Sequence, residues 1–326
     1  MSGHWTISDI PSLAGKRVII TGANSGIGYY AALELARKGA QVVLACRDRD
    51  KGEAALASLR REAPGSSIGL EQLDLASLAS VREFAAKELE QRRPLDLLIN
   101  NAGVMAPPRR METADGFELQ FGTNVLGHFA LTGLLLPVLQ QAAAESAERP
   151  RIVTIASIAH KRGKINLADL QYTTGYAPMK TYQQSKLANL MLAFELDRRL
   201  RAAGLPIMSV AAHPGVAHTP LFSKGDYSAM EKIARRMLGA AIEIFLNTAA
   251  DGALPTLYAA TSPEAKDGGY YGPQGFEEMR GKHIGPAKVA AQARDKAVST
   301  ELWHRCETLT GVRYLEGSEA GSGLRR

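Results

Sequence analysis

The residues Arg17-Val18-Ile19-Ile20-Thr21-Gly22-Ala23-Asn24-Ser25-Gly26-Ile27-Gly28 set the architecture. A short β-branched run between Gly15 and Gly22 reads as a buried strand. From Ile27 to Lys38 the apolar spacing becomes helical. Lys38-Gly39 is the stop, a cation in the last turn followed by a glycine able to turn left-handed. Strand, glycine turn and helix in this order make a phosphate site. Glycines let backbone N–H groups approach a pyrophosphate, whose charge the positive helix N-terminus stabilises. Three glycines alone are equally a plain turn; their place between strand and helix gives the nucleotide reading its weight.

Similar apolar runs recur at Gln41 to Cys46, Ser67 to Leu73, Leu95 to Ile99, Arg151 to Ala156 and Pro206 to Ala211, with a last short one at Tyr270-Tyr271. Helical segments separate them. Near-continuous apolar strands alternating with helices predict an α/β fold: a doubly wound parallel sheet of Rossmann type, covered on both faces, with ligands beyond the carboxyl ends of the strands. The expected organisation is a polar lead-in over 1–15 and one domain over 16–316, with a substrate lid over about 219–246. A helix over Thr248 to Ala260 and a disordered tail over 317–326 complete it.

With 326 residues, 45% hydrophobic and 22% charged, the chain can bury a large core. The net charge of +6 comes from Lys and Arg scattered among acids, so no nucleic-acid face is expected. Cys46 and Cys306 have no CxxC spacing and no secretory leader precedes them, which reads as a reducing, cytoplasmic compartment. The apolar stretches Phe129 to Leu139 and Ala240 to Leu246 fall short of the roughly 20 residues of a membrane span, so no membrane anchor is expected. His213 and His218 lack partners for a metal site, and His213 reads as a structural strand-end residue.

The residue ending the second strand distinguishes the nicotinamide cofactors, because an acid there binds ribose hydroxyls whereas an arginine accommodates a 2′-phosphate. Here the strand ends Ala45-Cys46-Arg47, which favours NADP over NAD; Asp48 reads as a capping residue. Tyr182 and Lys186 stand four apart, on one face of a helix whose apolar stripe is Leu187, Leu190, Met191 and Phe194. A tyrosine can donate a proton to the alkoxide formed when hydride reaches a carbonyl, or accept one in reverse. A lysine ammonium beside it is expected to bring the phenol down toward neutral pH.

Four motifs occur together and in order: Thr21 to Gly28 as TGxxxGxG, Asn100-Asn101-Ala102-Gly103, Tyr182-x-x-x-Lys186, and Pro214-Gly215. In these the chain resembles the short-chain dehydrogenase/reductase family over about residues 16–275. Ala45-Cys46-Arg47-Asp48 and Ser185-Lys186-Leu187-Ala188-Asn189 look most like its retinol-dehydrogenase-like branch. The resemblance implies a catalytic set of Asn124, Ser157, Tyr182 and Lys186. Ser157 would orient the substrate, and Asn124 would hold a water leading to the lysine, although by position alone Asn124 is equally a helix N-cap. It further implies cofactor contacts from Gly22, Asn24, Ser25, Gly26, Ile27, Gly28 and Arg47, adenine contacts from Asp74 and Leu75, and ribose contacts from Asn101, Ala102 and Gly103. Tyr182 and Lys186 would touch the cofactor, and Pro214, Gly215 and Val216 its nicotinamide.

Ser157 and Tyr182 lie 25 positions apart, more than in many family members, and the extra residues, His160 to Tyr176, are expected to form a loop or small hairpin at the site mouth. Leu221, Phe222, Met230, Ile233, Met237, Leu238, Ile242, Ile244 and Phe245 crowd the lid stretch; they are equally residues that pack the lid onto the body, but the Met side chains beside bulky aliphatics favour a hydrophobic aldehyde, ketone or secondary alcohol as partner. Members of the family pair through helices flanking the sheet, as homodimers or homotetramers. The membrane-bound relatives carry an N-terminal anchor that is not visible here. A non-catalytic nucleotide sensor or scaffold, and a pigment reductase of the same superfamily, remain alternative readings.

Overall fold

The structure, a computed structural model, describes residues 4–216 and 247–315. The expected lid stretch, with its nine apolar side chains, and the expected tail lie outside the described residues. Along the chain run β1 (Arg17–Thr21), α1 (Gly26–Arg37), β2 (Gln41–Cys46), α2 (Arg49–Glu62), β3 (Ile68–Gln72), α3 (Leu78–Glu90) and β4 (Leu97–Asn100). Then follow α4 (Leu119–Glu145), β5 (Arg151–Ile155), α5 (Pro178–Ala202) and β6 (Met208–Ala212). After the segment not described come α6 (Ala249–Thr261), β7 (Tyr270–Pro273), β8 (Ile284–Pro286) and α7 (Lys296–Thr310).

The strands form one sheet in the order β3-β2-β1-β4-β5-β6-β7-β8, parallel except for the last pair, so the doubly wound reading of the sequence holds. Winding reverses between β1 and β4, which lie side by side with Val18 opposite Leu97 and Ile20 opposite Ile99. Two apolar layers follow from the period-two alternation of strand side chains. Ile19, Leu98 and Ile152 pack with Leu131, Leu190 and Met191 of α4 and α5. Val18, Ile20, Ile99 and Val153 pack with Leu35 of α1 and Leu257 of α6 on the other face.

Two elements carry no clear pattern in the sequence. β8 is only Ile-Gly-Pro, too short for alternation, and Pro286 is tolerated because the strand is an edge. α7 is capped by Asp295, which accepts from the Val298 amide, and closed by Gly311 at φ 65°. It brings Trp303 edge-on to Phe129, with ring centroids 4.9 Å apart. By length and composition α4 is apolar enough to cross a membrane, yet most of it is buried, which marks it as the core helix. The residues expected as a loop or hairpin begin within a 3₁₀ turn, Ile158–Arg162, and contain no strand.

Arg17 and Glu88 form an ion pair beneath α3, with side chains 4% and 1% exposed. Removing one partner of such a pair leaves an uncompensated buried charge. Arg17→Met is therefore expected to lower stability by about 3–5 kcal/mol in urea denaturation, and the double variant Arg17→Met/Glu88→Leu to recover most of it. A loss under about 1 kcal/mol would show that the pair is not desolvated.

Candidate active site

The carboxyl ends of β1 and β4 open a cleft of about 380 Å³. The glycine turn after β1 forms its floor. Gly22 has φ +66°, and a Cβ there would come within 3.0 Å of the Ala102 Cα; a Cβ on Gly28 would lie 2.5 Å from Asn101 Nδ2 and 2.8 Å from the Gly22 carbonyl. Only glycine admits this close approach of turn, helix and neighbouring strand end. Thr21 Oγ1 accepts from the amides of Asn101 and Ala102, both at 2.9 Å, and Asn101 Nδ2 donates to the Thr21 carbonyl at 2.8 Å. Asn101 thus braces the turn as well as lining the cleft.

His128, not singled out from the sequence, completes this joint. Its Nδ1 lies 3.0 Å from the Asn124 carbonyl, which can only accept, so Nδ1 carries the proton and Nε2 accepts from Thr21 Oγ1 at 2.9 Å. Burial pushes the imidazole down to about 4, which keeps it neutral for that role. The signal that could have found it is its spacing of four from Asn124 on one helix face.

All the residues expected to bind the cofactor line this one cleft: the turn from Gly22 through Asn24, Ser25, Gly26 and Ile27 to Gly28, Arg47 at its rim, Asp74 and Leu75, Asn101 to Gly103, and Pro214 to Val216. The Arg47 side chain is exposed and has no hydrogen bond or ion pair among the described residues. Asp48 caps α2, accepting from the Lys51 amide at 3.1 Å and pairing with the Lys51 ammonium, which holds its carboxyl below the usual range. Its charge is directed to α2 and Lys51 rather than standing alone at the strand end. Lys51, Val104, Met105, Ile158, Ala159 and Met179 also line the cleft without having been anticipated.

Ser157, Tyr182 and Lys186 meet on the wall beyond β5. Ser157 follows the strand and opens the 3₁₀ turn, its Oγ accepting from the Ala159 amide at 3.2 Å. Pro178 at the first turn of α5 fixes the helix start one turn before Tyr182. Asn124 does not line the cleft and is no N-cap. It sits inside α4 in a π-helical turn, Gly122–Leu126, where the widened backbone aims it at Val104. Its Oδ1 accepts from the Val104 amide at 2.8 Å, and its Nδ2 donates to the Val104 carbonyl and to Ser185 Oγ, both at 3.0 Å. A Cβ on Gly103 would lie 3.2 Å from Asn124 Oδ1 and 3.7 Å from Lys186 Nζ, so Asn124 and the lysine flank the same glycine.

The electrostatics differ from the expected pairing. Burial pushes the Tyr182 phenol up to about 12, opposed only by the nearby Ser157 hydroxyl. Burial also pushes Lys186 down to about 8, and its Nζ donates to the Ile155 carbonyl at 2.9 Å. The ammonium stands 5.9 Å from the ring centroid. Desolvation thus favours the neutral form of each group.

Residues 16–227 match the short chain dehydrogenase family. The chain belongs to that family. Retinol dehydrogenase 13 of Homo sapiens is 41% identical over 305 residues, which is 92% of this chain and 86% of the relative. Polyprenol dehydrogenase of Mus musculus is 40% identical over 315 residues, covering 96% and 89%. A crystal structure of a protein from Mycobacterium paratuberculosis superimposes with a TM-score of 0.75 at 40% identity, over 96% of this chain and 99% of that one. This short-chain dehydrogenase is thus an oxidoreductase similar to the retinol dehydrogenases.

The lysine of this short-chain dehydrogenase gives a pH test. Because Lys186 titrates near 8 when folded and near 10.5 when unfolded, the unfolded chain binds more protons between those values. Stability therefore rises with pH through that window and is lost as pH falls to about 8. At roughly 1.4 kcal/mol per pKa unit, Lys186→Met is expected to be more stable than the wild type by up to about 3 kcal/mol at pH 7, with the difference shrinking by more than half at pH 10. Urea denaturation at the two pH values checks this, and a difference independent of pH would contradict it.

Proposed function

We propose that the protein transfers hydride between NADP(H) and a hydrophobic carbonyl/alcohol pair, with Tyr182 as the acid/base. The observation that carries this reading is the meeting of Ser157, Tyr182 and Lys186 on the wall of the glycine-floored cleft. A dinucleotide fits the residues present: Asn24, Ser25 and Gly26 line the cleft at the N-terminus of α1, where backbone amides can meet a pyrophosphate. Arg47 at the rim, beside an Asp48 that caps α2 and pairs with Lys51, suits a 2′-phosphate. When bound, the nicotinamide supplies or accepts the hydride.

The side chains do the rest. Ser157 Oγ donates to the substrate oxygen and orients it toward Tyr182. The Tyr182 hydroxyl gives its proton to that oxygen as negative charge develops, and takes one back in the oxidative direction. Lys186, with a pKa near 8, can exchange a proton at the pH where the phenol is recharged. Asn124 holds the Gly103-Val104 backbone against which Lys186 packs. Val104, Met105, Ile158, Ala159 and Met179 make the Tyr182 end of the cleft apolar. The names of the relatives, retinol and polyprenol dehydrogenases, point to long apolar alcohols, which supports the same substrate class.

The experiment is NADPH oxidation with a homologous series of n-alkyl aldehydes. Each buried methylene contributes up to about 0.8 kcal/mol, so kcat/KM is expected to rise severalfold per carbon until the cleft fills. Tyr182→Phe is expected to lower kcat at least about a thousandfold without loss of NADPH binding, and Arg47→Ala to weaken NADPH far more than NADH. A flat chain-length profile would remove the apolar substrate, and near-normal turnover in Tyr182→Phe would remove the acid/base. NADPH binding with no turnover of any carbonyl would return the nucleotide-sensor reading.

A further inference from the structure

Behind Ser157 lies a buried imidazole that the proton chemistry above does not use. His160 is fully buried in the 3₁₀ turn that Ser157 opens. Its Nδ1 lies 2.7 Å from the Ser157 carbonyl, which also accepts from the His160 amide at 3.0 Å. A carbonyl only accepts, so Nδ1 carries the ring proton. Nε2 is then an acceptor, and the Ala290 amide points at it from 3.3 Å. Both ring nitrogens meet backbone groups in a single neutral tautomer, with the Tyr270 hydroxyl also 3.4 Å from Nδ1.

The elements around the ring fix its place. Tyr270 of β7 packs edge-on, with ring centroids 5.4 Å apart and planes at 87°. Gln292 Nε2 lies within hydrogen-bonding reach of the carbonyls of His160, Lys161 and Gly163, at 3.4, 3.1 and 3.2 Å. Lys161, the next residue, pairs with Glu278 at 2.6 Å. The turn carrying Ser157 is therefore clamped from the C-terminal part of the chain, which contributes no residue to the proposed proton chemistry.

We infer that His160 is a positioning residue: by holding the Ser157 carbonyl with Nδ1–H, it fixes the backbone from which the Ser157 hydroxyl reaches the substrate oxygen. This rests on the proposed role of Ser157. A hydroxyl displaced by even about 1 Å loses alignment with the reacting oxygen, which affects turnover more than binding. The cofactor turn after β1 takes no part in the clamp.

Steady-state kinetics with NADPH and decanal test it, using His160→Ala, His160→Asn, His160→Gln and Ser157→Ala alongside the wild type. An asparagine places Nδ2 where the imidazole has Nδ1, so it can still donate to the Ser157 carbonyl but cannot reach Ala290. A glutamine extends toward Ala290 instead. Expected are a fall in kcat of at least about tenfold for His160→Ala, with KM and NADPH affinity within about twofold, and recovery of most of the loss in His160→Asn but not in His160→Gln. Unchanged kcat in His160→Ala, or recovery by glutamine rather than asparagine, would overturn the inference. If Ser157→Ala lowers kcat while His160→Ala does not, only the positioning role falls. If Ser157→Ala also turns over normally, or the wild type oxidises no NADPH, the proposed function falls and takes this inference with it.

Discussion

One hydroxyl joins the two strand ends between which the cleft opens. Thr21 Oγ1 accepts the amides of Asn101 and Ala102 and donates to His128, so β1, β4 and α4 meet at a single side chain. Two buried amides without an acceptor would each cost about 1–3 kcal/mol, which makes a hydroxyl at this position more than a helpful contact. Its geometry sets the spacing between the glycine turn and the Ala102-Gly103 backbone. That spacing in turn demands glycine at 22 and 28.

The same joint reaches the catalytic wall. His128 ties Thr21 to the Asn124 carbonyl, Asn124 ties the Val104 backbone to Ser185 on α5, and α5 carries Tyr182 and Lys186. Each link is buried and neutral. Burial pushes His128 and Lys186 down and Tyr182 up, which keeps the imidazole and the phenol neutral at pH 7, whereas Arg47, Asp48, Lys51 and Asp74 bring charge of both signs to the other end of the cleft. The cleft is therefore charged at one end and apolar around its phenol.

Most of the sheet was legible because its strands are local runs: Arg17 to Thr21 and Gln41 to Cys46 appear in the structure with the bounds the sequence suggests. Lys38 and Gly39 end α1 as their chemistry requires, with Gly39 at φ +92°. The cofactor turn and the Tyr182/Lys186 pair were legible for the same reason, since each is a fixed spacing on one element. What the sequence did not show depends on tertiary packing. β8 exists because β7 offers an edge, and the widened turn at Asn124 has no composition signal. The direction of the Tyr182 pKa follows from how deeply α5 is buried, which spacing along the chain does not encode.

The account stands or falls on whether hydride passes from the nicotinamide to a carbonyl in this cleft. NADPH carrying deuterium at the transferred position of C4, incubated with the protein and a long-chain aldehyde, gives an alcohol whose mass reports the transfer. The account predicts one deuterium in the alcohol for each NADPH oxidised, with NADPH used in preference to NADH. An alcohol without deuterium, or binding of NADPH with no alcohol formed from any apolar aldehyde, would contradict it.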